Sequence, residues 1–455
     1  MLHEVVAEHL ETFLAELAQE GMALPRYVVE ELRRYLPCGL LSQGFARVVC
    51  HDCHREILVA FSCKGRAFCP SCCARRMSDT AAHLIDRVLP EVPYRQWVLS
   101  YPRRLRVLLA RDARATTLSA SIFLQEVFRW QRQRAKREGL KGVQTGAVTF
   151  TQRFGSVLNL NIHHHAVVPD GVFTDASAAH FQKQRPPTLE ELEKILLRIV
   201  KRTLSMLARR GLLDVEDVDG LGAIQVEAAQ AGLGAWAAPE KKKLAAFLEG
   251  FSMEAGTHLH ANDRRGLEHL CRYGLRPPLA LERLHRLADG RVMLELRRPM
   301  HDGVRAVAFT TSEFLRRLAA IVPPPRSHQT RYFGVFAPRS AIRASLVPQP
   351  RADGEEKQET PAPPMPPRKR RLPWADLLKR VFGDDLLQCP CGGRRKMVAF
   401  IPGPKMAQEI LAAIGVEAPP LVIAKARAPL SCSATPGRRP VGRVGLRPRR
   451  HGCCA

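Results

Sequence analysis

The chain has 455 residues, 45% hydrophobic and 25% charged, enough for two or three domains with a sizeable core and well inside the globular range. Against 44 Asp and Glu it carries 70 Lys and Arg, a net charge of +26 that favours nucleic acid as a partner; an anionic membrane is the alternative, without a basic amphipathic helix or lipidation signal to support it. No apolar run reaches the roughly 18 residues of a membrane span, and Glu4, Glu8 and Glu11 are foreign to a secretory signal, so a cytoplasmic protein is expected.

In chain order, residues 1–36 read as two short amphipathic helices, 5–18 and 27–35, parted near Gly21 and Pro25. The 13 cysteines then bunch between Cys38 and Cys73, which suits metal binding in a reducing compartment better than a disulfide framework. Cys50-His-Asp-Cys53 and Cys69-Pro-Ser-Cys72 are separated by 15 residues, a spacing that lets two knuckle turns present four thiolates to one structural Zn²⁺. Cys38, Cys63 and Cys73, with His51 and His54, stay open as replacement ligands or a second site. Lys64, Arg66, Arg75 and Arg76 crowd around them, and a phosphate-contacting surface is expected there.

Residues 94–102 predict a strand followed by a break, 115–138 a long helix turning basic, and 146–154 a second strand. Residues 159–173, rich in β-branched side chains and punctuated by Pro169-Asp170-Gly171, predict a strand antiparallel to 146–154. Alternation puts His163 and His165 on one face and His164 on the other with Ile162 and Ala166. Two imidazoles about 7 Å apart along the backbone can grip one divalent ion, and Gln152 on the partner strand is the candidate third ligand.

A basic helix is expected over 187–213, with acidic residues at its start. In 262–278, Asn262 or Asp263 can cap a helix, Leu267 and Leu270 give its apolar stripe, and Gly274 with Pro277 and Pro278 ends it. A tyrosine on such a helix is ordinarily core or rim, but Tyr273 lies between Arg272 and Arg276, whose guanidiniums can clamp a phosphate. Strands over 291–296 and 306–310, a helix from Ser312 and a break at Pro323–Pro325 follow. Residues 346–371 are Pro-, Glu- and Lys/Arg-rich and read as a disordered linker; a short helix over 374–382 leads to Cys389-Pro-Cys391, weak by itself as a metal motif, and the chain closes on an Arg/Pro/Gly-rich tail. There is no Gly-x4-Gly-Lys-Ser/Thr phosphate loop.

From Cys38 to Arg343 the chain resembles the rolling-circle, HUH-type insertion-sequence transposases with an N-terminal zinc-binding domain. The resemblance rests on Cys50-His-Asp-Cys53, the run from Ser62 to Cys72, Arg95-Gln-Trp-Val-Leu-Ser100, Leu158 to His165, Arg272-Tyr-Gly-Leu-Arg-Pro-Pro278 and Arg331 to Pro338. It implies an α+β fold: a zinc-binding module, then an antiparallel catalytic sheet carrying His163 and His165 with the helix of the nucleophile Tyr273 packed beside it. His269 stands where some members carry a second tyrosine, so the single-tyrosine branch is the match, and the family's C-terminal Cys-Pro-x-Cys-Gly-Gly is here shorter by one residue.

The implied division is 1–36 N-terminal helices, 37–92 zinc-binding domain, 93–345 catalytic domain, 346–372 linker, 373–420 small C-terminal segment and 421–455 basic tail. The implied activity is metal-dependent nicking and strand transfer on single-stranded DNA at mobile-element ends. On this reading Mg²⁺ or Mn²⁺ is expected on His163, His165 and Gln152, with Arg272 and Arg276 offsetting phosphate charge, and nucleoid association is expected from DNA binding. The rivals are a replication-initiator or relaxase-type nickase and a non-enzymatic zinc-dependent DNA-binding protein.

Overall fold

Runs of β-branched and aromatic residues between turn signals become the strands of one sheet, and amphipathic stretches pack on both of its faces. The computed structural model describes residues 1–174, 180–213, 220–230, 244–300, 303–346, 373–383 and 385–427. Helices α1 (Leu2–Gln19) and α2 (Arg26–Tyr35) open the chain, the first burying Val6, Leu10, Phe13 and Leu17 at helical spacing. The hairpin β1 (Gly44–Cys50) and β2 (Glu56–Ala60) leads to α3 (Pro70–Arg87), with proline at the first helical position, where no amide partner is needed.

Strand β3 (Tyr94–Ser100) is followed by α4 (Arg103–Arg111) and α5 (Ala113–Arg137), the latter capped by Asp112, which accepts from the amides of Arg114 and Ala115. Then come β4 (Gly146–Phe154), β5 (Leu160–Pro169) and a small hairpin of β6 (Gly171–Thr174) with β7 (His180–Lys183). Helix α6 (Leu189–Arg209) starts on a Thr188/Glu191 capping box, and α7 (Gly220–Gln230) follows. Strands β8 (Ala245–Leu248), β9 (Phe251–Glu254) and β10 (His258–Leu259) precede α8 (Arg264–Leu275), whose cap is Asp263. Strands β11 (Leu284–Arg286), β12 (Val292–Glu295) and β13 (Ala306–Phe309) make a separate sheet beside α9 (Thr311–Ile321). The chain returns to the main sheet with β14 (Thr330–Gly334), then α10 (Arg343–Leu346), α11 (Trp374–Phe382), β15 (Arg395–Pro402) and α12 (Pro404–Ala413).

The main sheet has seven strands in the order β14-β4-β5-β3-β9-β8, with β10 added alongside β3. Every pairing is antiparallel, and β4 meets β5 as the sequence predicts, with Gln152 opposite His163. One face buries Leu99, Ile162, Ala166 and Val168 against α4 and α5; the other buries Val148, Phe150 and Val167 against α3 and α8. At the end of β5, Arg95 donates two hydrogen bonds to Asp170, 2.9 and 2.7 Å, a buried ion pair that fixes the Pro169-Asp170-Gly171 turn.

A second sheet, β15-β1-β2, joins the two ends of the described chain, with β1 running antiparallel to β15 from Gly44 opposite Pro402 to Cys50 opposite Arg395. The segment set apart in the sequence as 373–420 thus lies against the cysteine-rich module. Most of the expected linker and tail, residues 347–372 and 428–455, lies outside the described residues. Among the described residues no helix is long and apolar enough to cross a membrane.

Candidate active site

Strand alternation divides the three histidines of β5 as expected. His164 is fully buried on the α4/α5 face, within 3.0 Å of Thr151 Oγ1 and 3.3 Å of Ser119 Oγ and edge-on to Tyr101. It is a core histidine with both ring nitrogens engaged. His163 and His165 share the α3/α8 face, ring centroids 4.9 Å apart. The Nδ1 of His163 donates to the Asn161 carbonyl at 2.8 Å, which leaves the Nε2 lone pair available. The Gln96 amide meets His165 Nδ1 at 3.1 Å, while His165 Nε2 is buried without a partner.

Burial, with further repulsion from Arg276 and Arg106 and against the pull of the Asn161 carbonyl, takes the His163 pKa down to about 4. Burial and then His163 itself hold His165 well below the ordinary histidine range. Both rings are therefore neutral, the form that ligates metal.

Helix α8 delivers Tyr273 to this pair. Its ring stands at 88° to that of His165 with centroids 5.5 Å apart, and the residue remains 39% exposed. Two features hold it there. Gln152 Nε2 donates to the carbonyls of Tyr273 (2.8 Å) and Gly274 (3.0 Å), groups that the C-terminus of a helix leaves open. Gly274 lets the helix touch the sheet, since a Cβ there would lie 2.4 Å from the Phe150 ring.

The Oε1 of Gln152 is buried and unpartnered. The strand pairing sets Gln152 opposite His163, so two imidazoles and an amide oxygen share one patch of the sheet, and two of these donors, His165 Nε2 and Gln152 Oε1, are buried without a partner, a set that could hold a divalent ion. Among the described residues no carboxylate, cysteine or further histidine completes a group with the pair.

The Arg276 guanidinium lies 4.8 Å over the Tyr273 ring and 5.5 Å from that of Phe154, and its Nε has no partner. Burial lowers its pKa, with the charges of Arg297 and Arg283 adding to the effect and Tyr273 opposing it. Arg272 turns instead to Glu268, 2.8 Å away on the preceding turn. One cation near the pair is absent from the sequence reading: Arg106, buried on α4 and donating to the Tyr101 carbonyl at 2.8 Å. Its signal was an arginine at an inward position between Leu105 and Leu109.

A cleft of about 280 Å³ opens beside Gln152 and Arg276 and is walled on its far side by Arg66 and Arg76 of the cysteine-rich module. Arg66 donates to the Ser327 carbonyl and Arg76 to that of Lys64, at 3.0 Å, so both are held at the rim.

The cysteines require a correction. Cys50, Cys53, Cys69 and Cys72, read as one ligand set, fall into two. Cys69 and Cys72 join Cys38 and Cys63, with Sγ contacts of 3.4 to 3.8 Å. Cys50 and Cys53 instead meet Cys389 and Cys391. The reason is topological: Cys50 closes β1, which pairs with β15 and so faces the C-terminal segment. Sulfurs of a tetrahedral zinc site, each about 2.3 Å from the ion, are about 3.8 Å apart, so the Cys38/Cys63/Cys69/Cys72 quartet fits a structural Zn²⁺. Amides of Cys63 and Gly65 point at the Cys38 and Cys63 sulfurs at 3.3 Å, as in a zinc knuckle.

Two family models match the chain. Residues 5–101 match the transposase zinc-binding domain, and residues 146–343 match the model described as "Putative transposase". The first holds the Cys38/Cys63/Cys69/Cys72 quartet, and the second holds Gln152, both histidines and Tyr273. No curated protein and no solved structure matches.

Proposed function

We propose that this chain, a member of the IS91-type transposase family by its two domains, cleaves and rejoins single-stranded DNA through a 5′-phosphotyrosine on Tyr273. The observation that carries the reading is the half-exposed phenol standing edge-on to His165, with His163 beside it and a basic cleft alongside.

In the forward step the phenolic oxygen attacks phosphorus, the bond to the 3′ oxygen breaks, and that oxygen leaves as a 3′-hydroxyl. Rejoining reverses the roles: a 3′-hydroxyl attacks the phosphotyrosine and the phenol is released. One phosphodiester is exchanged for another, so no nucleotide hydrolysis is required. Arg276 offsets charge at the crowded phosphorus, and Arg272 adds a second guanidinium by exchanging Glu268 for phosphate. Gln152 keeps the nucleophile in register by holding the backbone of its helix end. When bound by His163, His165 and Gln152, Mg²⁺ or Mn²⁺ supplies Lewis-acid polarisation of a phosphate oxygen. A single strand suits the site, because a duplex keeps the scissile phosphate in its own helical frame, and Arg66 and Arg76 line the cleft toward which such a strand would run.

The test is a labelled single-stranded oligonucleotide of an element end, incubated with the protein and Mg²⁺. A protein–DNA adduct that survives SDS is expected, absent from Tyr273→Phe although that variant still binds the strand. An adduct retained by Tyr273→Phe, or none formed by the native protein while it binds DNA, would overturn the assignment, the latter in favour of a non-enzymatic binding protein.

A further inference from the structure

We propose that Cys50, Cys53, Cys389 and Cys391 bind a second zinc ion, which staples the C-terminal segment onto the N-terminal module and completes a structural unit from both ends of the chain. Cys50 Sγ lies 3.6 Å from Cys391 Sγ, and Cys53 Sγ lies 3.5 Å from Cys389 Sγ. All four sulfurs are within 4.8 Å of one another. These separations match the edges of a tetrahedral tetrathiolate site, about 3.8 Å, and are far from the roughly 2.05 Å of a disulfide.

The turn around the quartet is shaped for a metal. The Cys389 amide donates to the Gly393 carbonyl at 2.8 Å and the Gly392 amide to that of Cys389 at 2.9 Å, which closes the loop that brings both sulfurs to one side. Gly393 lies directly against the quartet, since a Cβ there would stand 3.0 Å from Cys50 Sγ. The short Cys389-Pro-Cys391 spacing is therefore no obstacle to a four-sulfur set. Soft thiolates in a tetrahedron select zinc over Mg²⁺ or Mn²⁺.

The apolar contribution here is small. Phe45, Ile401, Ala407 and Leu411 are the buried residues of the cluster formed by β1, β15 and α12, a core too slight to fold independently. Metal binding supplies the missing folding energy. The staple also has a reach beyond its own sheet. Arg380 on α11 bridges Asp86 of α3 (2.6 Å) and Glu268 of α8 (2.7 Å), the helix that carries Tyr273.

Elemental analysis of the full-length protein, purified under reducing conditions, is expected to give two zinc ions per chain. Cys389→Ser/Cys391→Ser should retain one and lose hydrogen-exchange protection across residues 395–402 and 44–50. Should that variant not fold, Co²⁺ titration of the native protein serves, with thiolate-to-cobalt absorption expected to saturate at two ions per chain. One zinc in the native chain, two in the double variant, or a mass showing two disulfides among these cysteines would overturn the proposal. The readout is metal content and exchange, so it stands or falls separately from strand cleavage.

Discussion

The main sheet and the small β15-β1-β2 sheet are both antiparallel, yet they are held by different forces. The first is covered on both faces by helices and buries dozens of apolar side chains in two clusters. The second shares with α12 a cluster of four buried hydrophobics, Phe45, Ile401, Ala407 and Leu411, and has a cysteine quartet at one end. Burial organises the part that carries the candidate site, and in the reading proposed above metal ligation organises the part beside it. The comparison teaches where each can be damaged without the other: core substitutions reach the first, and metal removal reaches the second.

The largest effect should come from a chelator strong enough to strip thiolate zinc. Structural zinc contributes on the order of 10 kcal/mol of apparent binding energy, so residues 38–72 and 395–402 should lose hydrogen-exchange protection while 146–169 keep theirs. Simultaneous loss in both regions would erase the distinction. A smaller effect should separate the two faces of β5. His164→Ala removes a fully buried ring bonded to Thr151 and Ser119 and should cost about 2–4 kcal/mol by urea denaturation without abolishing Mg²⁺-dependent adduct formation in the fraction that remains folded. His163→Ala should show the opposite balance, a milder loss of stability with the Mg²⁺-dependent adduct gone. The smallest effect is expected at the bridge between regions: Arg380→Ala, breaking exposed ion pairs to Asp86 and Glu268, should change stability by no more than about 1 kcal/mol while raising exchange in α11. A loss several times larger would mean that α11 is part of the main core.

Much of the candidate site's local structure was legible because its signals are local. The β4–β5 pairing follows from two apolar runs with a short connection, alternation separates His164 from its neighbours, and the Asp263 cap with Gly274 brackets the tyrosine helix. What could not be read depends on groups distant along the chain. Cys50 and Cys389 are 339 positions apart in the sequence, and a spacing rule that sees only neighbouring Cys-x2-Cys pairs joins the nearest two. Each pair instead combines with cysteines outside the apparent motif. The double use of Gln152, amide hydrogens on the helix end and oxygen left over, is likewise invisible without the register that puts it opposite His163. Arg272 turned to Glu268 because the two are one helical turn apart, a pairing that competes with phosphate before any DNA arrives.

The partnership of β1 with β15 has a consequence for synthesis. While the chain is being made, residues 44–50 wait with one strand edge unmatched until some 350 more residues have left the ribosome. The strands of the main sheet, complete by Gly334, can assemble first, and the N-terminal module is sealed last. A truncated product ending before Cys389 would leave that edge bare and two thiols without their counterparts, and so would present itself to proteases as unfinished.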